Sequence, residues 1–313
     1  MALRLPALRP DRYEVISPPR RLAHRAGHLW EQAILPARAA RCALLYSPAN
    51  LAPLAHPRNV VVIHDAAVFR HPEAYSEAYV AYQRLLLPRL ARAARLVITV
   101  SEFSRSELAD TLGVAAMVIP EGVDERFLAD VDPAPVVRRY GLESPYALVV
   151  GTASERKNPA LLASLSRALH ADGIELVLAG SDRGYLRGRP IEVRRLGYVA
   201  EDDLPGVYAG ARALVMPSLY EGFGLPCLEA MACGVPVVAA AAAALPETVG
   251  DAGLLVDPDD SARFADALRR ACTDEATRAA LSAAGRRRAA SYPWSRTARM
   301  TDRLMGELLE GSR

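Results

Sequence analysis

At 313 residues, 51% of them apolar, the chain is long enough to bury a sizeable core, and its length suits two domains. A net charge of +2 gives no bulk attraction for nucleic acid, mean hydropathy sits near zero, and no run of about 18 apolar residues offers a membrane span. The N-terminus carries arginines without an apolar stretch, which argues against a secretory signal. Cys42, Cys227, Cys233 and Cys272 lack metal-ligand spacing, and Cys227 and Cys233, six apart in an apolar stretch, read as buried thiols of a reducing cytoplasm.

Short apolar runs alternate with helical stretches from the start. YEVISP (13–18), ALLYSP (43–48), NVVVIHD (59–65), RLVITVS (95–101) and AMVIPEG (116–122) read as buried strands, and helices fit 21–40, 75–94 and 102–112. Such alternation predicts a parallel sheet covered on both faces. The polar, Pro-punctuated stretch 129–145 reads as a linker. A second series follows. Its strands are YALVVGT (146–152), ELVLAGS (175–181), EVRRLGYV (192–199), ALVMPS (213–218), VPVVAA (235–240) and GLLVDP (253–258). Its helices fit 158–171, 203–210, 223–233 and 260–273, and the alanine run 239–244 reads as a loop or helix start. A helical tail over 275–312 is broken at Pro293. The fold class is therefore α/β. Two Rossmann-like domains, 1–130 and 146–292, are joined by a linker at 131–145 and followed by a C-terminal helix at 293–313. The stripe Met300, Leu304, Leu308 gives that helix a face to bury against the first domain. A ligand cleft is expected between the domains, at the carboxyl ends of the strands.

Lys157 is the only lysine among 38 basic side chains. With Arg156 it follows Gly151, where a strand ends, and precedes Asn158-Pro159, a good N-cap and first-turn pair. Two cations at the sheet's carboxyl edge fit a diphosphate, Arg as a bidentate fork and Lys as a point charge. A solvated pair beside a helix start is the plainer alternative. In SLYEGFGLPCLEAMACGVPVVAA (218–240), Glu221 precedes Gly222, Phe223, Gly224 and Leu225 at a strand-to-helix turn. Glycines there let backbone N–H groups approach an anion, and the helix dipole adds favourable potential. Glu229 lies seven residues after Gly222. Seven steps of about 100° return to the same face, roughly 10 Å along the axis. Two carboxylates then flank an anion-binding turn, one suited to a sugar and one to ribose hydroxyls. For Glu229, a paired acid on a helix surface is the alternative. DVD (130–132) has a metal-site spacing but lies in the linker beside Pro133, so no metal is expected there.

The 218–240 segment resembles the E-x7-E signature of retaining GT-B glycosyltransferases, in the wording of the mannosyltransferase-like members of family 4. HDAAVFRHPEAYS (64–76), TVSEFSRSEL (99–108), IPEGVDERF (119–127), VGTASERKN (150–158), LGYVAEDDLPGVYAGA (196–211) and LPETVGDAGLLVDPDD (245–260) read as that family's blocks in order. The resemblance implies a retaining, metal-independent transfer of a hexosyl unit, with no cofactor. The donor would be a GDP- or UDP-linked nucleotide-sugar and the acceptor a hydroxyl of a glycan or lipid-linked acceptor. It implies that Glu221 contacts the donor sugar and that amides around Phe223, Gly224 and Leu225 hold sugar or phosphate. Glu229 would bind the ribose, and Arg156 and Lys157 would hold the diphosphate as it leaves. Gly197, Tyr198 and Val199 would line the base pocket. His64, structural on its own reading, would approach the donor sugar from the facing domain. Ser101 and Ser104 read as helix caps, and Arg105 as facing an acceptor phosphate.

Two departures stand out. Family members usually open with a strand and a glycine-rich loop, whereas no glycine precedes Gly27, so the first βα unit is expected to be missing or shortened. Glu121 stands in PEGVD where Asn is more usual. Two other functions fit the same fold. One is a nucleotide-sugar-binding module with little turnover for want of that loop. The other is a nucleotide-sugar epimerase, against which the ordered blocks argue. Arg20, Arg21 and Arg25 lie beside Leu29, Trp30, Ile34 and Leu35, and Arg84, Arg89, Arg92 and Arg95 punctuate residues 81–97. This pattern suits peripheral contact with an anionic membrane at the inner face. The same apolar face would suit a homodimer.

Overall fold

The structure, a computed structural model, describes residues 13–19, 27–152, 154–181, 184–188 and 191–310. Its frame is two parallel sheets. The first runs β1 (Leu45–Ser47), β2 (Asn59–Val62), β3 (Leu96–Thr99) and β4 (Met117–Val118), side by side in chain order. The second holds β5 (Tyr146–Val150), β6 (Glu175–Ala179), β7 (Arg194–Gly197), β8 (Ala213–Met216), β9 (Val237–Ala240) and β10 (Leu254–Val256), in the order β10-β9-β8-β5-β6-β7. Every residue of β2, β8 and β9 is buried, as befits apolar runs in sheets with helices on both faces. In the second sheet the chain moves outward from β5 to β7, then returns to β8 on the other side of β5. That reversal opens a crevice at the carboxyl ends of β5 and β8.

The helices are a stretch at 27–38, here α1, with a π turn at Trp30–Ile34, then α2 (Glu77–Ala93), α3 (Glu102–Leu112), α4 (Pro159–His170) and α5 (Leu204–Ala209). They continue as α6 (Leu225–Ala232), α7 (Leu245–Val249), α8 (Ser261–Thr273), α9 (Glu275–Ala290) and α10 (Trp294–Glu310). Local chemistry explains their ends. The Ser101 hydroxyl accepts from the Ser104 amide at 2.9 Å to start α3, and Gly113, at φ +67°, ends it in the left-handed region. Asn158 Oδ1 accepts from the Leu161 amide at 3.2 Å, with Pro159 in the first turn of α4. The last helix buries Thr301, Leu304 and Met305. Along it Thr297 Oγ1 donates to Pro120 O at 2.7 Å and Tyr13 OH donates to Asp302 at 3.0 Å.

Three expectations are corrected. YEVISP forms no ladder; Tyr13 is bonded to α10 instead, and Val15 is exposed. An alternating run favours extended backbone but does not supply a neighbouring strand. The supposed linker contains a helix, Ala134–Arg139, seated so tightly on α5 that a Cβ at Gly206 would lie 2.7 Å from a Val136 methyl. Pro133 and Pro135 sit where a helix begins, a place that tolerates proline. Finally, Trp30 and Leu35 of α1 join a small core with Ala39 and Leu45, while Leu29 and Ile34 are exposed. Arg20, Arg21 and Arg25 lie outside the described residues.

Candidate active site

A 3-10 turn, Glu155–Lys157, folds the loop after β5 back over Gly151. Gly151 has φ +131°, and a Cβ there would lie 3.5 Å from Lys157 Nζ. Lys157 is only 7% exposed, which removes the solvated-pair reading. Its Nζ lies 2.5 Å from Glu221 Oε1, and Arg156 Nη1 lies 3.1 Å from the same oxygen. Arg156 Nη1 also donates to Tyr220 O at 2.8 Å, and the Leu219 amide donates to Arg156 O at 2.9 Å. The loops after β5 and β8 are thus tied together across the switch point. Burial alone would raise the Glu221 carboxyl; the Arg156 and Lys157 charges more than offset it and hold it at about 2. Burial draws Lys157 below the usual lysine range, with Glu221 opposing. Two cations and one carboxylate leave a net positive charge at the sheet edge.

Gly224, at φ +99°, opens α6 without a side-chain cap. The first amides of a helix have no intrahelical acceptor; Pro226 has no N–H and the Cys227 amide donates to Gly224 O at 2.9 Å, so at this end the Leu225 amide is the one suited to an anion. The Phe223 ring is buried against Tyr292, and its carbonyl accepts from Thr248 Oγ1 at 2.5 Å. Glu229, on α6, accepts from the hydroxyl of the fully buried Tyr208 at 2.7 Å. Burial pushes the Glu229 carboxyl up to about 7; Tyr208 and Arg126 pull it down, while Glu121 and Asp124 push it up. Glu229 therefore feels the acids of the loop after β4. Cys227 feels the charge of both Glu221 and Glu229.

The first unit closes over that place. A Cβ on Gly222 would lie 2.5 Å from His64 O and 2.9 Å from Asp65 Cβ. The hydroxyls of Ser101 and Ser104 donate to Gly222 O at 2.7 and 3.0 Å, so these caps also join the two units. Tyr220 leaves the second unit altogether and packs in the first unit's core. Its hydroxyl donates to Glu107 and accepts from the Ala66 amide, each at 3.2 Å. Glu247 of α7 accepts from the Glu102 and Phe103 amides at 3.0 and 3.2 Å, capping α3 from the other unit. His64 Nδ1 is 2.8 Å from Asn50 Oδ1, and Nε2 is 3.4 Å from Glu121 Oε1.

Gly197, Tyr198 and Val199 sit at the same carboxyl edge, at the end of β7. The Gly197 carbonyl accepts from the Gly180 amide at 2.8 Å, Val199 is buried and the Tyr198 ring is 69% exposed. Arg105 is exposed and ion-paired to Glu102 at 2.6 Å. Asp132 accepts from the Ala134 amide at 3.0 Å, and among the described residues no three His, Cys, Asp or Glu side chains gather as metal ligands. Sequence reasoning missed Tyr208, Tyr220 and Asn50. Tyr220 adjoins Glu221, but nothing local shows which core its ring enters. Glu121 was visible only as a departure from pattern.

Two parallel α/β units facing across a crevice are the GT-B architecture of glycosyltransferases. Sucrose-phosphate synthase from Thermosynechococcus elongatus shares it, with a TM-score of 0.74 and 25% identity over 97% of this chain and 83% of its own. The chain belongs to glycosyltransferase family 4. The family model described as Glycosyltransferase Family 4 matches residues 4–127, and the one described as Glycosyl transferases group 1 matches residues 144–274. O-antigen chain mannosyltransferase B of Escherichia coli is 36% identical over 260 residues, covering 76% of this chain and 67% of its own length. The GDP-mannose-dependent alpha-(1-6)-phosphatidylinositol monomannoside mannosyltransferase of Mycobacterium tuberculosis is 33% identical over 269 residues, covering 77% and 69%. Of several other curated relatives the chain spans about half the length, between 41% and 53%.

Proposed function

We propose that the chain is a retaining hexosyltransferase. It moves a mannosyl unit from a nucleotide-sugar donor, GDP- or UDP-linked, to a hydroxyl of a glycan or glycolipid, without a metal ion. The observation that carries this is the buried Arg156–Lys157–Glu221 cluster at the switch point of the second sheet. As the glycosidic bond breaks, charge grows on the departing diphosphate, and fixed cations aimed there lower the barrier. The acceptor hydroxyl attacks on the face from which the diphosphate leaves, and its proton passes to the leaving phosphate oxygen. Glu221 supports the donor sugar and developing charge without forming a covalent bond. The amides of Phe223, Gly224 and Leu225 take sugar or phosphate oxygens, Glu229 the ribose hydroxyls, and the backbone of 197–199 the base. His64 meets the donor from the facing unit. The mannosyl choice follows the two mannosyltransferase relatives.

No described helix is long and apolar enough to cross a membrane. Exposed Arg84, Arg89, Arg92 and Arg95, with exposed Leu29 and Leu85, support peripheral contact with an anionic inner membrane face from the cytoplasm. Salt-sensitive co-sedimentation with anionic vesicles supports that contact; a dimer by light scattering without vesicle binding assigns the face to self-association.

The test of the site is donor binding. Losing one charge-assisted contact costs about 1.5–3 kcal/mol, roughly a ten- to hundred-fold loss in affinity for a nucleoside diphosphate. Arg156→Ala and Lys157→Ala are each expected to fall in that range by calorimetry, with folding checked by circular dichroism. A folded Lys157→Ala protein that binds as tightly as wild type sinks the phosphate assignment. Anomeric analysis of the product tests retention, and turnover in chelator tests metal independence.

A further inference from the structure

His64 lies between two oxygen acceptors whose roles are fixed by their other bonds. Asn50 Oδ1 accepts from the His64 backbone amide at 2.7 Å. An amide N–H can only donate, so the Asn50 side chain must present its oxygen. That same oxygen lies 2.8 Å from Nδ1, so Nδ1 carries a proton. On the other side, Nε2 is 3.4 Å from Glu121 Oε1. A neutral imidazole would turn a lone pair toward a carboxylate there; a proton on Nε2 turns the contact into an ion pair.

The backbone that carries Glu121 is held on both sides. The next residue is pressed against the start of α10, where a Cβ on Gly122 would lie 2.5 Å from Trp294 N. The Val123 amide donates to Tyr292 O at 2.7 Å, and Pro120 O accepts from Thr297 Oγ1. Other charged and titratable groups face the pair. Asp65, on the histidine's own turn, favours a cation. Tyr46 of β1 faces Glu121. From the second unit, Arg156 acts on the surroundings of Asp65, and Glu229 feels Glu121.

We propose that Glu121 is a positioning residue that holds His64 as an imidazolium, so that a third cation stands beside the Gly222 turn with Arg156 and Lys157. The inference rests on reading the crevice as the site of a diphosphate donor. Burial lowers the His64 proton affinity, but Glu121 and Asp65 more than offset it, and the net direction is upward. The residue that departs from the family wording thus supplies the counter-charge that keeps the histidine cationic.

The test reads His64 directly. Imidazole nitrogens are followed by 15N NMR in the substrate-free full chain against pH, with His64→Gln assigning the signal. Both nitrogens are expected to remain protonated above the ordinary midpoint of about 6.5. Glu121→Gln is expected to lower the midpoint by about one unit or more, and Glu121→Asp, which keeps the charge, to recover part of it. The alkaline limb of donor turnover should move down with the NMR midpoint. A neutral imidazole in the wild type, or a midpoint unmoved in Glu121→Gln, overturns the proposal. So does a moved midpoint with a fixed alkaline limb. If the wild type fails to bind any nucleoside diphosphate, the donor reading falls, while the NMR result still decides whether Glu121 holds the proton.

Discussion

Glu221 and Glu229 both act on the charge of the buried Cys227 thiol, yet their surroundings drive them apart. Glu221 meets two cations and is held at about 2; Glu229 is raised to about 7 by burial, which the Tyr208 hydroxyl opposes only in part. The contrast predicts a pH signature for each. Ribose hydroxyls donate best to a carboxylate, so nucleoside diphosphate affinity should rise as pH climbs through about 7 and then level. Glu229→Gln should bind weakly with no such rise. Calorimetric titration on either side of neutrality checks this, and a flat wild-type profile removes Glu229 from the ribose. Stability moves the other way. A carboxyl raised from 4.5 to about 7 on folding contributes stability that is full below 4.5 and lost as pH rises through 7. Glu221, lowered from 4.5 to about 2, contributes stability present above 4.5 and lost as pH falls toward 2. Glu229→Gln should therefore melt higher than wild type in mild alkali, whereas Glu221→Gln should melt lower.

Among the elements, α3 carries the sharpest prediction. One hydroxyl, that of Ser101, caps the helix and also bonds Gly222 O in the other unit. Ser101→Ala removes a cap of about 1 kcal/mol and a hydrogen bond of about 1 kcal/mol. Ser104→Ala removes no cap, only the single proton its hydroxyl shares between His64 O and Gly222 O, about 1 kcal/mol in all. Urea unfolding should rank Ser101→Ala as the more destabilised. The cap was legible in the sequence because capping is decided within a few residues, as at Asn158-Pro159. The strands of the second sheet were legible for a related reason: a run such as ALVM is apolar on both faces only where both are covered. What stayed hidden was set by distant partners. YEVISP has the composition of a strand but no strand beside it. Pro133 and Pro135 end one kind of structure or begin another according to what they pack upon. The pairing of Glu121 with His64 joins residues from different loops of the first sheet, so the odd acid was visible but its partner was not.

At the scale of the whole molecule, the two units are interlocked. Tyr220 reaches from the loop after β8 into the core of the first unit, edge-on to Phe103 and His71 with centroids 5.3 Å away. Gly222 leaves no space against His64, and α10 links the second unit back to Pro120. Lys157 and Glu221 are 7% and 8% exposed behind this junction. We expect a diphosphate to reach them only when the junction parts. In stopped-flow binding the observed rate should therefore level off at high ligand concentration, at a ceiling set by a unimolecular opening step. Tyr220→Phe keeps the ring but loses the bonds to Glu107 and Ala66, each worth about 1 kcal/mol, and should raise that ceiling severalfold. A rate that climbs linearly with concentration in both proteins would show the site open from the start. If the ceiling is there, the tyrosine beside Glu221 acts as a timer. Donor traffic through this chain would then follow the lifetime of one side chain's lodging in a neighbouring core, and not the abundance of the sugar nucleotide.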